Sequence, residues 1–271
     1  SFFDETADAK KAANYFHVNN FNETVNAGKA DQLVGQIFEN MDEPFADSSL
    51  LPAYALAAMT RKKVTVALSG DGGDELFVGY NKYLGHHWAE KLKKNKLLKF
   101  LCWLLSFLPA GRSGYFSEKI RLIKKLKSGW RLPVRERHLL WTAVGAVDDE
   151  VRDFYFRHFD GLEGLDGALR ADFLFNLPND MLTKVDWASM WNSLEVRSPF
   201  LDYRLAEFLF SLPMSVKFSG GRLKSLLKDV FVGLLPSFVL KKSKQGFEIP
   251  GFDKRAWTEQ VFVKWHEKNF P

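Results

Sequence analysis

The sequence predicts an α/β protein in which a parallel sheet is followed by a large all-helical portion. Helix-like and strand-like patterns alternate over the first 70 residues, which is typical of helices layered on a parallel sheet. The run Val64–Leu68 is nearly continuously apolar and β-branched, as in a parallel strand buried on both faces. We find no strand signal after Glu75, so we divide the chain into an α/β portion at residues 1–90 and a helical portion at residues 91–271.

The elements before that strand follow from spacing and from residues that start helices. A first helix is predicted to begin near Thr6, behind two acidic residues that favour a helix N-terminus. Three more elements are predicted: a short strand at Val18–Val25, a helix at Asp31–Met41 and a helix at Leu50–Thr60. The segment before the last helix contains Pro44, which interrupts helical structure, and it offers Asp47 or Ser48 as a capping residue.

The composition is that of a soluble globular protein. The 271 residues are 46% hydrophobic and 26% charged, and the net charge of +5 is too small to indicate nucleic-acid binding. The single cysteine, Cys102, excludes an internal disulfide framework and a cysteine-based zinc site, and it fits a reducing compartment. The longest apolar run, Phe100–Pro109, is shorter than the roughly 20 residues that span a bilayer. We find no signal peptide and expect the cytoplasm as the location.

Three features receive the less specific interpretation. His86 and His87 are adjacent, and neighbouring residues do not share a helix face, so we expect no metal site there. The stretch Lys91–Lys127 is basic and interleaved with apolar residues. We interpret it as a solvated helical face over an apolar core, with a membrane-surface helix as the alternative. Because Ser1 is not a start methionine, we expect the chain to be a fragment of a longer protein.

The segment Leu68–Phe77 carries the clearest chemical signal. It follows the predicted buried strand and precedes a helix, the place where α/β sheets bind ligands. Its three glycines allow left-handed backbone and close approach to a ligand, and successive amides form a nest for anionic oxygens. Asp71 and Asp74 would repel a phosphate unless a cation lies between them, and Mg²⁺ prefers one or two carboxylates plus phosphate oxygens. The pattern indicates a nucleotide–metal site, with a glycine turn bearing two solvated carboxylates as the alternative.

Four sequence blocks resemble the synthetase domain of glutamine-hydrolysing asparagine synthetases. The block SGDGGDELFVGY at Ser69–Tyr80 is preceded by DEPFADSS at Asp42–Ser49. A third block, LPNDMLTKVDWASMWNSLEVRSPFLD, occupies Leu177–Asp202, and a weaker fourth block comprises Gly221–Lys228 with residues 244–250. Because the four blocks occur in the family's order, the chain is identified as a member of that family over most of its length.

The resemblance implies a fold and a reaction. Members carry a synthetase domain of the adenine-nucleotide α-hydrolase type (HUP-like, an ATP-pyrophosphatase) behind an N-terminal glutaminase domain. ATP, with Mg²⁺, activates the side-chain carboxylate of aspartate as an acyl-adenylate, pyrophosphate leaves, and ammonia from the glutaminase domain displaces AMP. The glutaminase domain and the family's first ATP-binding loop, S-G-G-x-D-S, are absent from this sequence, so we expect the isolated chain to be inactive. A homodimer is a further expectation.

The resemblance also implies roles for individual residues. Asp71 would support formation of the acyl-adenylate, Lys224 would meet the α-phosphate, and Asp74 would be a Mg²⁺ ligand. Pyrophosphate would be bound by loop residues Leu68, Ser69, Gly70, Gly72 and Gly73. Supporting roles are implied for Asp186 and Arg197 as a buried ion pair or polar network, and for Asp47 and Ser48 as caps of the helix beneath the site. These roles require that Asp71 and Asp74 face one cleft and that Lys224 reaches it.

Two tryptophans depart from the family pattern and bear on the acceptor. Trp187 stands where members usually carry a basic residue, and Trp191 is larger than usual. The leading function is synthesis of asparagine from aspartate. The same chemistry on another acceptor, in amidation of a surface polysaccharide or a peptide, is the first alternative, and a catalytically inactive scaffold is the second. The presence of Asp71, Asp74 and Lys224 argues against the scaffold.

Overall fold

The computed structural model describes residues 5–109, 115–143, 145–242 and 254–270, and the residues 244–250 of the fourth block lie outside them. Within these ranges the chain is mostly helical and has one small sheet, of strands β1 (Val66–Leu68) and β2 (Glu195–Arg197). The α-helices in chain order are α1 Thr6–Tyr15, α2 Ala27–Asn40, α3 Leu50–Arg61, α4 Gly73–Leu76, α5 Asn81–Lys94, α6 Lys96–Leu105, α7 Tyr115–Gly129, α8 Val134–Thr142, α9 Asp149–Arg157, α10 Gly164–Ala171, α11 Thr183–Met190, α12 Tyr203–Ser211, α13 Met214–Lys217, α14 Ser225–Val230, α15 Ser237–Leu240 and α16 Lys254–Asn269. A π-helix, Asp172–Leu182, joins α10 to α11, and 3₁₀ turns lie at Pro199–Leu201 and Ser219–Gly221.

The sheet joins two segments that are far apart in sequence. β1 and β2 are parallel, with Ala67 opposite Val196. The predicted strand at Val64–Leu68 is therefore confirmed over its last three residues, and the expectation of no strand after Glu75 is wrong. β2 has the sequence Glu-Val-Arg, which carries no apolar run and no alternation long enough to indicate a strand. One strand of the sheet thus comes from the portion that we expected to be entirely helical.

β1 is not buried on both faces, which corrects the sequence-based prediction. Val66 is exposed, and Leu68 is 74% exposed. Among the described residues, β2 is the only neighbour of β1 in the sheet, so an apolar strand has one paired edge and an open surface. The apolar composition of β1 correctly indicated a strand but not its burial.

The helices predicted before β1 are confirmed and the strand at Val18–Val25 is not. That segment is neither helical nor paired with any described strand, and the side chains of Val18, Phe21 and Val25 are exposed. β-branched residues favour a strand only where a partner and a surface to cover are present. α3 begins one residue after Ser49, which makes no side-chain cap, so the predicted capping by Asp47 or Ser48 is also wrong. The Asp47 carboxylate instead accepts from the amide of Ser49 at 2.9 Å.

The core consists of separate clusters between helices. One cluster lies between α2, α3, α11 and α16 and includes Ile37, Leu50 and Trp257. A second one surrounds Tyr83, Tyr155 and Leu169 and fixes α5 against α9 and α10. Among the described helices, none is both long and apolar enough to cross a bilayer. α5 and the π-helix also contribute Lys82, Tyr83 and Asp172 to a buried group of polar side chains.

Candidate active site

The glycine-rich loop connects β1 to α4, as the sequence predicts. β1 ends at Leu68 and α4 begins at Gly73. Gly72 has a φ of 81°, in the left-handed region, and a Cβ atom at this position would lie 2.2 Å from a side-chain carbon of Leu201. A residue with a side chain would be strained by its backbone and would also collide with its neighbour. The glycine therefore fixes the turn that leads out of the strand.

Lys224 reaches this loop from the other end of the chain. Its Nζ lies 2.8 Å from Asp74 Oδ1, and both side chains are partly exposed, at 29% and 16%. The predicted approach of Lys224 to the loop is confirmed. The backbone of Lys224 has a φ of 54°, which for a residue with a side chain costs about 1 kcal/mol. Its amide donates to the carbonyl of Val78 at 3.3 Å, so the residues that follow α4 hold the lysine backbone directly.

Gly79 leaves the space in which Asp74 and Lys224 meet. A Cβ atom on Gly79 would lie 1.9 Å from Asp74 Oδ1 and 2.4 Å from Lys224 Cε. Any side chain at position 79 would therefore separate the pair. The sequence analysis quoted this glycine within a block but gave it no role, because its importance depends on a lysine about 150 residues away.

Some amides of the loop donate hydrogen bonds to carbonyl groups of the protein, and others have no acceptor among the described residues. The amide of Ser69 donates to the carbonyl of Arg197 at 2.9 Å, and the amide of Gly73 donates to the carbonyl of Gly70 at 3.2 Å. These two amides are therefore not free to bind pyrophosphate as predicted. Within the described part of the chain, the amides of Gly70 and Gly72 have no acceptor. The Ser69 hydroxyl lies 2.8 Å from the hydroxyl of Ser198, which joins the end of β1 to the end of β2.

Asp71 is half-buried, and its carboxylate forms no polar contact with the residues that the structure describes. Whether it faces the same cleft as Asp74 stays a prediction. Leu68 is the last residue of β1, and its side chain is largely exposed.

Asp186 and Arg197 do not form the predicted buried ion pair. Both residues are exposed, and the Nε of Arg197 donates to Glu195 Oε1 at 2.7 Å. Arg197 lies at the end of β2, where its side chain is free to remain in water. Its backbone, rather than its charge, is what contacts the loop.

The buried lysine of this region is Lys184, which the sequence analysis missed. Its Nζ donates to Asp47 Oδ2 at 2.7 Å and thereby ties α11 to the segment before α3. Burial acts to raise the pKa of Asp47, but the Lys184 ammonium and the bonds from Ser49 outweigh burial and lower it. Burial raises the pKa of Asp180 to about 6, and the neighbouring Asp47 carboxylate adds to this effect. The helical period offered a partial signal, since residues two apart on a helix do not share a face, and Lys184 and Asp186 could not both lie on the same buried face.

A second buried cluster, which we call the Asp172 cluster, lies at the start of the π-helix. Its centre is the fully buried Asp172, which accepts from Lys82 Nζ at 2.6 Å and from the Tyr83 hydroxyl at 2.5 Å. The side-chain amide of Asn176 also donates to it, and His138 Nε2 lies 3.1 Å away. Burial acts to raise the pKa of Asp172, but the Lys82 ammonium and the surrounding donors hold it below its usual range. The carboxylate is therefore charged and accepts hydrogen bonds from three side chains.

Two buried histidines, His86 and His138, link the Asp172 cluster to Arg137. Arg137 Nε donates to His86 Nδ1 at 2.9 Å, and His86 Nε2 lies 3.0 Å from His138 Nδ1. Because the arginine can only donate, neutral His86 carries its proton on Nε2 and donates it to His138 Nδ1, which leaves the proton of a neutral His138 on Nε2, the nitrogen 3.1 Å from Asp172. Burial lowers the pKa of His86 to about 2, with further contributions from His138 and Arg137. Burial also lowers the pKa of His138. The prediction of no metal role for the His86–His87 pair stays untested, but His86 already has two nitrogen partners.

The donor set fits a magnesium ion that also binds phosphate. Among the described residues, no group of three or more histidine, cysteine or acidic side chains is close enough to enclose a metal ion. Mg²⁺ does not require such a cage, because it is usually held by one or two carboxylates together with substrate phosphates. Asp74 supplies one carboxylate beside a lysine and two open loop amides.

Comparison with known proteins identifies a family for this chain. The profile of the asparagine synthase family matches residues 1–270. Glutamine-hydrolysing asparagine synthetase 1 of Bacillus subtilis is 28% identical over 281 aligned residues, covering 97% of this chain and 42% of that protein. Asparagine synthetase 3 of the same organism is 28% identical, covering 74% of this chain and 28% of that protein. The amidase chyE of Penicillium rubens is 24% identical, covering 79% of this chain and 36% of that protein. The chain spans less than half the length of these relatives.

Proposed function

The chain belongs to the asparagine synthase family, and on that premise we propose that it amidates aspartate to asparagine at the expense of ATP. The relatives named as glutamine-hydrolysing asparagine synthetases support ATP-dependent amidation at the family level. In the proposed reaction an oxygen of the aspartate side-chain carboxylate attacks the α-phosphorus of ATP, and the bond to pyrophosphate breaks. Ammonia then attacks the acyl carbon, and AMP leaves with one former carboxylate oxygen.

The observation that carries the proposal is the pair formed by Asp74 and Lys224 at the carboxyl end of β1. Adenylation develops negative charge on the α-phosphate and on the leaving pyrophosphate, and an enzyme speeds it mainly by positioning and electrostatic stabilisation. Lys224 would contribute a positive charge at the α-phosphate. The open amides of Gly70 and Gly72 would donate to pyrophosphate oxygens, with Leu68, Ser69 and Gly73 shaping the loop.

Asp74 would change partners when nucleotide binds. Mg²⁺ supplies neutralisation of the phosphate charge, and Asp74 is the residue that would hold it. Lys224, which forms a pair with Asp74, would then turn toward the phosphate. Both side chains are partly exposed, so this exchange does not require burying an unpaired charge. Asp71 is proposed to support formation of the acyl-adenylate.

The supporting residues act on the protein scaffold rather than on the substrate in this proposal. Asp47 braces α11 through Lys184, and Arg197 holds the loop through its carbonyl group. We propose no charge role for Asp186, which is exposed. Ser48 precedes α3 without capping it, so its proposed part is limited to the turn.

The case for a different acceptor depends on one relative rather than on the tryptophans. Trp187 and Trp191 stack on each other at 5.3 Å, and they contact Phe45 and Tyr54 between α3 and α11. This packing accounts for their size without any contact to a substrate. The relative named as an amidase keeps a second candidate open, which is the same activation applied to another carboxylate.

The test is pyrophosphate release by the full gene product that contains this chain, supplied with ATP, Mg²⁺, ammonium and aspartate. Asparagine is measured in parallel, and aspartate labelled with ¹⁸O in the side-chain carboxylate is expected to transfer one label to AMP. Asp74→Asn and Lys224→Met are each expected to lower the rate at least about a hundredfold. Lys228→Met is the matched control, since Lys228 lies on α14, about one turn after Lys224, and donates to the carbonyl of Lys242 at 3.4 Å.

The outcomes separate three conclusions. Loss of activity in Lys224→Met but not in Lys228→Met supports the assigned role, and equal activity in both variants refutes it. Pyrophosphate release that requires a carboxylate other than aspartate refutes the acceptor and supports the second candidate. No carboxylate-dependent release with any acceptor refutes the proposed chemistry. The isolated 271-residue chain is expected to be inactive in the same assay, for lack of the first ATP-binding loop.

A further inference from the structure

Helix α6 lies on the surface and uses only one side for packing. None of its ten residues is fully buried. Leu98 and Cys102 lie partly buried against a cluster formed by Leu92 and Trp130, which belong to the neighbouring segments. This contact fixes α6 on the protein. It leaves the other side of the helix without a partner among the described residues.

The free side of α6 is apolar, which corrects the expectation of a solvated polar face. Leu97, Phe100, Leu101 and Leu104 recur at intervals of three and four residues, so they share one side of the helix. Their exposed fractions run from 48% to 79%. We call these four residues the outer face of α6. Phe107 continues the apolar surface beyond the end of the helix and is 62% exposed.

The segment that carries this outer face is rich in positive charge. Residues 91–127 contain eleven lysine and arginine residues and one glutamate, whereas the whole chain has a net charge of only +5. α6 itself contains no acidic residue. Lys127 Nζ lies 4.4 Å from the centre of the Phe107 ring, and Lys91 Nζ lies 5.0 Å from the Trp88 ring. These lysines place their stems along aromatic surface and their charges at its edge.

We propose that the outer face of α6 docks on a membrane surface that contains anionic lipids. The combination of exposed leucine and phenylalanine with flanking lysine is that of a helix lying in the bilayer interface. Anionic headgroups match the local charge, and each lysine near such a surface contributes to binding. The face is the convex side of one helix rather than a groove, so it fits a deformable surface. The apolar run is too short to span the bilayer, and the helix would lie flat.

The experiment is co-sedimentation of the purified protein with vesicles. Vesicles of phosphatidylcholine alone are compared with vesicles that contain about 30% phosphatidylglycerol, at low and high salt, because charge-driven binding is screened by salt. Binding to the anionic vesicles, and its weakening by salt, is expected. Binding is expected to fall at least about tenfold in Leu97→Gln/Leu104→Gln, since two apolar side chains no longer enter the interface.

Two further variants make the test specific. Tyr203→Gln/Phe208→Gln removes apolar side chains that are 70% and 59% exposed on α12, and it is expected to bind like the unmodified protein. Lys94→Gln/Lys96→Gln is expected to weaken binding to anionic vesicles by about fivefold for each lysine removed. Circular dichroism of each variant shows that the helices are retained.

Several results would overturn the proposal. Absence of binding to anionic vesicles contradicts it, and so does an equal loss in the α6 and α12 variants. Sedimentation of a dimer that Leu97→Gln/Leu104→Gln converts to a monomer would show that a second copy covers the face. Preference for a duplex DNA over anionic vesicles, abolished by Lys94→Gln/Lys96→Gln, would assign the charge to nucleic acid instead.

Discussion

The loop pair and the Asp172 cluster both place a lysine against an aspartate, in opposite surroundings. Lys224 and Asp74 meet at 2.8 Å with both side chains partly exposed. Lys82 and Asp172 meet at 2.6 Å, and the carboxylate is 1% exposed and has further donors around it. A buried charge with several donors is costly to disturb, whereas a partly exposed pair can exchange partners. The difference indicates that one pair stabilises the fold and the other is available for chemistry.

The largest effect is expected from Asp172→Asn. Removing this charge leaves the Lys82 ammonium without its partner in a buried setting, which costs about 3–5 kcal/mol of unfolding free energy. Urea unfolding followed by circular dichroism measures the loss. Asp229→Asn is the control, because its pair with Arg222 is about half exposed and is worth less than about 1 kcal/mol. Equal costs for the two variants would contradict the view of the Asp172 cluster as a stabilising element.

The next effect is expected from Gly79→Ala, which addresses the loop pair. The added methyl group would push Asp74 and Lys224 apart, and misplacement of this size lowers activity by about a hundredfold. Pyrophosphate release and urea unfolding are measured on the same preparation. Gly35→Ala, in open space on α2, is expected to keep the activity and to raise stability by about 0.5–1 kcal/mol. A fully active Gly79→Ala variant would show that the pair is not used.

A smaller and pH-dependent effect is expected from Asp180→Asn. The pKa of Asp180 is about 6 in the folded chain, above the usual value of an aspartate, so the folded state binds the extra proton between about pH 4 and pH 6. The stability contributed by this group is present below that window and is lost as the pH rises through it. Asparagine cannot ionise, so the variant is expected to be more stable than the unmodified protein by about 1–2 kcal/mol at pH 7.5.

The same comparison at pH 4 is expected to show no gain from Asp180→Asn, because the aspartate is then protonated as well. Urea unfolding at both values gives the difference directly. Asp31→Asn on the exposed side of α2 is the control for loss of one negative charge. A gain that is equal at the two pH values would mean that Asp180 does not titrate in this window.

The smallest effect concerns the ring nitrogens of His86 and His138, where no change of tautomer is expected. Because burial lowers the pKa of His86 to about 2, its ¹⁵N signals are expected to stay at the neutral Nε2–H positions from pH 8 to about pH 5, and burial lowers the pKa of His138 in the same direction. A histidine peptide in the same buffer titrates near pH 6.5. Either ring appearing as the Nδ1–H form would break the one-directional chain from Arg137 to Asp172.

Local sequence signals predicted the glycine loop, whereas the second strand and the ion pairs depend on contacts between residues that are far apart in sequence. Three glycines and a preceding apolar run place a tight loop after β1 whatever the rest of the chain does. β2 has three residues and becomes a strand only because β1 is beside it. Asp47 and Lys184 are 137 residues apart, and each is typical of solvated surface when considered alone. Position 224 could be assigned only through the family resemblance, since a single lysine just before a short helix has no chemical signature of its own.

The two residues of the loop pair are synthesised at different times, because the ribosome adds residues in chain order. Asp74 and Lys224 are 150 residues apart, and a ribosome adds about 5–20 residues per second, so the lysine is made about 8–30 s after the aspartate. β2 also follows β1 late, because Ser69 and Ser198 are 129 residues apart. On the ribosome the glycine loop is therefore made before β2 and Lys224, so that β1 at first lacks β2 and Asp74 at first lacks the lysine.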